Sequence, residues 1–215
     1  MKTVITLTRP LGCGGAYIGK RLAGRLGFRY LDREILQRAA RELGLAEKEV
    51  AEREEKISGF WEKLQEILAL GPAEGVFTPP PLRPVPDEFI YARECLIMTT
   101  VAEEADCVIV GRGSSAIFRD YDGACRILLH APSDFRVHRV MRYYGAKTEK
   151  EARGMIARSD RDRAQFMTRV RGMEWSRADN YHLCIDTSHA PLDGIVGLIG
   201  RYVQGWRRRE PACLS

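Results

Sequence analysis

The stretch RPLGCGGAYIGKRLA, residues 9–23, has the composition of a phosphate-binding loop and directly follows the apolar run TVITLT. A glycine-rich turn between a strand and a helix presents backbone N–H groups and the positive end of the helix dipole, and both attract an anion. The Walker A pattern G-x-x-x-x-G-K-[ST] adds a lysine for the phosphates and a hydroxyl for magnesium. The question is which residues take those two places in this chain.

Two registers align this stretch with the Walker A pattern. In the first, Gly14 is the first glycine, and Gly19 and Lys20 supply the later glycine and the lysine, but Arg21 replaces the hydroxyl residue. This register leaves five extra residues after the strand and puts Lys20 a turn inside the helix. Both features argue against it.

In the second register the loop begins at Arg9, directly after the strand. Gly14 is then the last glycine, Gly15 stands at the lysine position, and Ala16 and Tyr17 stand where the magnesium hydroxyl belongs. We prefer this register because of its loop length. It predicts a cradle made mainly of backbone N–H groups, and a glycine-rich turn without a ligand stays open as the alternative.

Composition limits the class of protein that carries this loop. The chain has 215 residues, 45% of them hydrophobic, which is enough for one domain with an inserted subdomain. The formal net charge is +5, and arginines cluster between Arg126 and Arg177. This pattern favours an anionic partner such as phosphate, although a solvated charged surface explains the same arginines.

Cysteine usage and hydropathy indicate the compartment. The six cysteines are scattered without a C-x-x-C pair, so we expect free thiols in a reducing cytoplasm. Cys107 and Cys184 lie in apolar runs and are predicted to be small core residues. No run approaches the roughly 18 apolar residues of a membrane span, so no membrane partner is expected.

Short β-branched runs alternate with longer helical patterns, which predicts an α/β fold with a parallel sheet. We expect strands at residues 3–8, 28–31, 106–110, 125–130 and 182–186. Between the second and third strands lies an insertion of roughly seventy residues, far more than a crossover requires. Its charged part, residues 33–70, is predicted to be helical, a proline-rich loop follows at residues 71–88, and a helix at about 87–104 returns to the sheet.

Helix signals are clearest in the second half of the chain. Ser133 is predicted to cap a helix that runs to about Tyr144. Thr148 and Glu151 form a capping box, which predicts a second helix that continues into RSDRDRAQF. The last helix carries an apolar stripe over residues 192–206.

Three stretches, in this order, resemble the cytidylate kinase-like family of P-loop proteins, divergent relatives of bacterial cytidylate kinases. They are TLTRPLGCGGAYIGKRLAGRLGFRYLDREIL, ADCVIVGRGSSAIF and RSDRDRAQF followed by NYHLCIDTS. The resemblance covers nearly the whole chain except about residues 50–86. It implies a three-layer P-loop kinase fold with a five-stranded parallel sheet, a helical insertion that binds a nucleoside monophosphate (NMP), and an arginine-rich lid.

The resemblance also implies how the chain is divided. Residues 1–215 are expected to form a single P-loop kinase-like domain. Its core would comprise residues 1–32, 105–145 and 178–210, the NMP-binding-like insertion residues 33–104, and the lid residues 146–177. The implied cofactors are ATP and Mg²⁺, and the implied partner besides ATP is a small phosphorylated acceptor.

Positions that match the family's motifs identify the expected site residues near the loop. The positions expected to bind the cofactor there are Gly12, Cys13, Gly14, Gly15, Ala16 and Tyr17. Arg9 corresponds to the arginine before the loop, and Arg9, Lys20 or a lid arginine is expected to replace the missing charge. Asp32 matches an aspartate that in related kinases holds magnesium through water or orients the acceptor. Capping of the helix that begins at Arg33 is the plainer role for Asp32.

Two further motifs supply arginines. Arg112 in VGRG matches the arginine of the family's G-R-D motif, which binds the monophosphate's phosphate, whereas Gly113 replaces the aspartate of that motif. In the lid, RSDRDRA resembles R-D-x-R-D-R-N-R. The lid residues implied are Arg158 and Arg163 in catalysis, Arg161 on the cofactor and Asp162 on the substrate. The spacing of Arg158 and Asp162 on one helix also lets them form an i,i+4 ion pair.

The function expected from the resemblance is ATP-dependent phosphoryl transfer to a nucleoside monophosphate, with CMP as one candidate, or to a similar small acceptor. Such transfer needs positioning and charge neutralisation, which arginines and a helix N-terminus can supply. The alternative is a non-catalytic nucleotide sensor or interaction module with a degenerate loop, because fold does not fix function. Nucleic-acid binding through the arginines and the WRRRE tail is weaker, because aromatic interleaving and a recognised module are lacking.

Overall fold

A parallel sheet of five strands forms the centre of the computed structural model, which describes residues 1–37, 39 and 88–208. The strands are β1 (Val4–Thr8), β2 (Arg29–Leu31), β3 (Cys107–Val110), β4 (Ala124–His130) and β5 (Leu183–Asp186). Their order across the sheet is β2-β3-β1-β4-β5. The sequence-based prediction of the strands is therefore confirmed to within a residue at each end.

The helices that connect these strands also have defined bounds. They are α1 (Gly15–Leu26), α2 (Glu88–Glu104), α3 (Ser114–Ile117), α4 (Ser133–Tyr143), α5 (Glu149–Arg171) and α6 (Leu192–Arg207), with a short 3₁₀ turn at Ala178–Asn180. A further helix begins at residue 33. Most of the charged segment and almost all of the proline-rich loop lie outside the described residues. None of the described helices is long and apolar enough to cross a membrane.

The strand order creates a crevice at the carboxyl end of β1. Val4 of β1 pairs with Cys107 of β3 on one side and with Ala124 of β4 on the other. The chain builds β2 and β3 on one side of β1 and then crosses to build β4 and β5 on the other. Ligands of open α/β sheets bind where the strand order reverses in this way. Here that point is the end of β1, where the glycine-rich loop begins.

Both faces of the sheet are covered, which explains why the central strands are continuously apolar. On one face, α1 and α6 bury Ile18, Leu22 and Ile199 against β1 and β4. On the other face, α2 packs Ile97 and Met98 against β1 and β3. These layers hold the carboxyl ends of β1 and β3 in fixed positions relative to α1.

Two local expectations are wrong. Cys184 is exposed rather than buried, because Ile185 beside it on the edge strand β5 takes the face covered by α1 and α6. Ser133 is already the first helical residue of α4, and Pro132 in an extended conformation is the N-cap, so the Ser133 hydroxyl does not cap the helix. The capping box is confirmed, since the Thr148 side chain accepts a hydrogen bond from the Glu151 N–H at 3.2 Å.

Two glycines of α1 allow a direct test of this packing. A Cβ atom on Gly19 would lie 2.5 Å from Val110 Cγ2, whereas a Cβ on Gly24 would have no heavy atom within 4 Å. We expect Gly19→Ala to lower the free energy of unfolding by about 1–3 kcal/mol through overpacking. Gly24→Ala is the matched control and should raise it by roughly 0.5–1 kcal/mol. Urea denaturation measures both, and a neutral Gly19→Ala would contradict the described contact between α1 and β3.

Candidate phosphate-binding site

The loop after β1 depends on glycines at two positions. Gly12 has φ +90° and Gly14 has φ +76°, both in the left-handed region. A Cβ on Gly12 would also lie 2.9 Å from the carbonyl oxygen of Arg136, so the loop packs directly on the backbone of α4. Cys13 between them is buried, and burial raises the pKa of its thiol to about 11. The thiol is therefore neutral, and the loop offers an anion its backbone.

The amino end of α1 is open to an anion. Gly14 is the N-cap, no side chain caps it, and the first turn carries no acidic residue. The first N–H groups of a helix have no partner within the helix. Here they belong to Gly15, Ala16 and Tyr17, so their positive charge is not neutralised within the described part of α1.

The Arg9 side chain occupies the space in front of the lysine position. A Cβ atom on Gly15 would lie 2.6 Å from Arg9 Cγ, and a Cβ on Gly111 would overlap Arg9 Nη1. Arg9 therefore runs from the start of α1 to the end of β3, where Gly111 has φ +78°. A side chain at position 15 would occupy the space that Arg9 fills. This steric conflict explains why position 15 is a glycine and not a lysine.

Lys20 does not take part in the loop. It lies in the second turn of α1 and its side chain is exposed. This position agrees with the register in which the loop begins at Arg9. Of the residues considered for the missing charge, Lys20 points to solvent while Arg9 is at the loop.

Two more arginines surround the same loop. Arg136 donates from Nε to the carbonyl oxygen of Leu11 at 2.7 Å and from Nη2 to Asp160 Oδ2 at 2.7 Å. Arg163 lies 3.5 Å from Asp160 Oδ1 and stacks on Trp175 at 5.5 Å. We call Arg9, Arg136 and Arg163 the loop arginines. Asp160, rather than Asp162, is the carboxylate that connects α5, the helix expected to form the lid, to the loop.

The electrostatics of the loop arginines favour an anion. Burial lowers the pKa of Arg9, and Tyr30, Tyr144 and Asp32 offset this only in part. Burial and then the positive charge of Arg9 lower the pKa of Arg163 to about 10. Lowered pKa values mean that these cations are poorly compensated where they lie. A bound phosphate would supply the missing negative charge.

Asp32 is a helix cap in this structure. Its Oδ1 accepts hydrogen bonds from the N–H groups of Glu34 at 3.0 Å and Ile35 at 3.1 Å, and its Oδ2 accepts one from the Tyr30 hydroxyl at 2.9 Å. The plainer role expected from the sequence is therefore present. The Asp32 carboxylate also acts on the charge of Arg9, so it lies close to the loop.

The described residues near the loop offer few ligands for Mg²⁺. Ala16 has no hydroxyl, and the Tyr17 hydroxyl is turned to Asp193 at 3.1 Å. No group of three or more acidic, histidine or cysteine side chains among the described residues could hold a metal. Mg²⁺ usually keeps several waters and binds through one or two carboxylates and the substrate's phosphates. Asp32 fits that chemistry as a single carboxylate near the loop.

The lid residues divide into two groups. Arg163 faces the loop, whereas Arg158, Arg161 and Asp162 are exposed. The expected ion pair between Arg158 and Asp162 is not formed among the described contacts. Ordering two exposed side chains costs entropy that one surface pair does not reliably offset, and this explains its absence.

Sequence reasoning missed two arginines of α4. Besides Arg136, the guanidinium of Arg139 lies at the loop, with Nη2 3.3 Å from the position of a Cβ on Gly14. Arg139 also stacks on Tyr143 at 5.0 Å. The available signal was the spacing in FRVHRV, which places both arginines on one side of the helix directly after β4.

The described residues thus combine a 2-3-1-4-5 parallel sheet, a glycine-rich loop at the end of β1 and arginines that converge from α4 and α5. These features define the P-loop kinase class of α/β proteins. The chain belongs to the cytidylate kinase-like family, whose sequence profile matches residues 4–189. The resemblance expected from the motifs is therefore confirmed. No curated protein matches the sequence significantly.

Solved structures with the same fold confirm the architecture. An uncharacterized protein from Eubacterium ventriosum ATCC 27560 is 20% identical, with a TM-score of 0.69, and the match covers 94% of this chain and 99% of that one. A shikimate kinase from Bacteroides thetaiotaomicron is 15% identical, with a TM-score of 0.52 and coverages of 94% and 98%. A gluconokinase from Sinorhizobium meliloti 1021 is 11% identical, with a TM-score of 0.51 and coverages of 96% and 98%.

The position of Arg9 predicts a selective effect on nucleotide binding. We expect Arg9→Ala to weaken ATP binding about tenfold or more, because a charged hydrogen bond contributes about 1.5–3 kcal/mol. Lys20→Ala is the control and should bind like the wild type. Thermal stabilisation by ATP measures both, with circular dichroism as the check on folding. If both variants lost the same affinity for ATP, Lys20 would also contribute positive charge to ATP binding.

Proposed function

We propose that the chain is an ATP-dependent phosphotransferase that moves the γ-phosphoryl group to a nucleoside monophosphate, with CMP as the first candidate, or to a similar small acceptor. The observation that carries this proposal is the path of Arg9. Its methylene groups pass the uncapped start of α1 and fill the space where the side chain of a P-loop lysine would begin, and its guanidinium lies at Gly111. A loop that had lost its function would not need a half-buried cation at this place.

In the proposed reaction the backbone from Gly12 to Tyr17 holds the phosphates of ATP. Arg9 and Arg163 neutralise the charge that spreads over the γ-phosphoryl oxygens. An oxygen of the acceptor's phosphate attacks the γ-phosphorus, the bond to the β–γ bridging oxygen breaks, and its electron pair leaves with ADP. A phosphate oxygen carries no proton that has to be removed, so this acceptor needs no general base. Mg²⁺, when bound, would add charge neutralisation on the phosphates beside Asp32.

The proposal also assigns roles to other residues that the family resemblance identified. Arg112 would bind the acceptor's phosphate, and Asp32 would orient the acceptor or hold Mg²⁺ through water. Contributions from Arg158, Arg161 and Asp162 would require a lid position other than the described one, because their side chains are exposed. A cytoplasmic location belongs to the same proposal, since the five described cysteines are free thiols.

One observation favours a second candidate, a nucleotide sensor without transfer. Ala16 provides no hydroxyl for Mg²⁺, and the Tyr17 hydroxyl is bound to Asp193 on the outside of the molecule. A protein of this kind would bind ATP without consuming it. ATP-dependent stabilisation without ADP release across a panel of acceptors would therefore favour the sensor.

An acceptor screen tests the proposed transfer. Purified protein is incubated with ATP, Mg²⁺ and one acceptor at a time, namely the nucleoside monophosphates, shikimate and gluconate, and ADP release is measured. With the active acceptor, Arg163→Ala should lower kcat by roughly 10³-fold or more, because a transition-state arginine has an effect of this size. Arg201→Ala, an exposed arginine on α6, should leave turnover unchanged. If turnover is unchanged in Arg163→Ala, the lid takes no part in the proposed transfer.

A further inference from the structure

Arg112 is held in an unfavourable backbone conformation. It is the one non-glycine residue among those described with a positive φ, at 54°, and it lies between Gly111 at +78° and Gly113 at +70°. Side chains other than glycine rarely adopt this region, because Cβ then crowds the backbone. Such residues are concentrated at active sites and ligand clamps, where surrounding contacts hold them in place.

The contacts that hold Arg112 fix one edge of its guanidinium. Glu94 Oε2 accepts a hydrogen bond from Arg112 Nε at 2.7 Å and a second one from Nη2. The rings of Tyr91 and Phe166 each lie 5.5 Å from the guanidinium carbon. Glu94 therefore takes the Nε–Nη2 edge, and the Nη1 end has no acceptor among the described residues. A guanidinium held on one edge can bind a second anion on the other.

The charge of Arg33 also acts on the Glu94 carboxylate. Glu94 is fully buried. Neither its Oε1 nor the buried Nε of Arg33 has a hydrogen-bond partner among the described residues. Burial raises the pKa of Glu94, while Arg112 and Arg33 act in the opposite direction. Burial and then the charge of Arg112 lower the pKa of Arg33. Among the described residues, one buried carboxylate thus acts on two guanidinium groups, and it can balance the charge of only one of them.

Arg112 and Arg33 lie close to Arg9, one of the loop arginines. Gly111, which borders the Arg9 guanidinium, is directly followed by Arg112. The charge of Arg9 also acts on Arg33. An anion on the free side of Arg112 and Arg33 would therefore lie beside the phosphate loop, on the β2–β3 side of the sheet.

We propose that Arg33 and Arg112, held by Glu94, bind the anionic group of the acceptor, and that Glu94 is the positioning residue of this site. We call these three residues the acceptor clamp. The inference rests on the proposed function and adds Arg33 and Glu94 to it. The acceptor's anionic group is either a phosphate monoester or a carboxylate, since both match the guanidinium edge.

Spectroscopy of the arginine side chains tests the acceptor clamp without turnover. In ¹⁵N-labelled wild-type protein, CMP and shikimate are titrated separately, and the Nε–H resonances of Arg33 and Arg112 are followed after assignment by Arg→Lys variants. We expect one of the two probes to shift both resonances, and that probe identifies the anion as a phosphate or a carboxylate. If neither probe shifts them, the acceptor clamp is overturned, whatever the outcome of the acceptor screen.

Kinetics with the active acceptor separate positioning from a structural role. We expect Glu94→Gln to raise the KM for the acceptor about tenfold while kcat and the KM for ATP change little, because one edge of Arg112 is no longer fixed by a charged partner. Glu94→Asp should recover part of the loss. The control is Asp179→Asn, which weakens the exposed pair with Arg177 and should leave the acceptor KM unchanged.

The outcomes distinguish this inference from the proposed function. One outcome is that the probe shifts the resonances in the wild type, Glu94→Gln abolishes these shifts, and no phosphate is transferred. This outcome would support the acceptor clamp and contradict the proposed kinase activity. Transfer with an unchanged acceptor KM in both Glu94→Gln and Arg33→Lys would support the kinase and overturn the acceptor clamp. Thermal unfolding of each variant shows whether it is folded, and Glu94→Asp takes the place of Glu94→Gln if the latter does not fold.

Discussion

The path of the Arg9 side chain is the constraint on which the rest of the site depends. Arg9 leaves the end of β1, passes the start of α1 where Gly15 has no side chain, and reaches Gly111 at the end of β3. Both glycines are required by this path, and position 15 cannot also carry a lysine. The cation of the loop therefore comes from the residue that precedes it, and the glycine at the lysine position follows from packing.

A half-buried arginine needs negative charge, and the described residues around the loop supply little of it. Asp160 is shared by Arg136 and Arg163, and Asp32 is engaged with a helix cap and the Tyr30 hydroxyl. The uncapped start of α1 adds further positive potential. A phosphate bound there, as we propose, would supply negative charge and so stabilise the fold. Stability and ligand binding would then be coupled at the same residues.

The charge of Arg112 is balanced in a different way from the charges at the loop. Glu94 on α2 neutralises part of the charge of Arg112, while Tyr91 from the same helix and Phe166 from the lid helix stack on its guanidinium. Gly113 leaves room for these rings, since a Cβ there would lie 3.1 Å from the Tyr91 hydroxyl. Aromatic packing therefore takes the place of the aspartate of the G-R-D motif, and residues of α2 and α5 meet at Arg112.

The sequence by itself determined the strands, the start of α1, the capping box at Thr148 and the glycine-rich loop after β1, because these depend on local periodicity and on residue types within a few positions. It also indicated Arg9, Arg112 and Arg163 through the family resemblance. Only the tertiary structure decided which carboxylate meets which arginine. Asp160 rather than Asp162 faces the loop, Glu94 reaches Arg112 from another element, and Cys184 is exposed on an edge strand. Such pairings join residues that are distant in the chain or lie on opposite helix faces, and no short-range pattern encodes them.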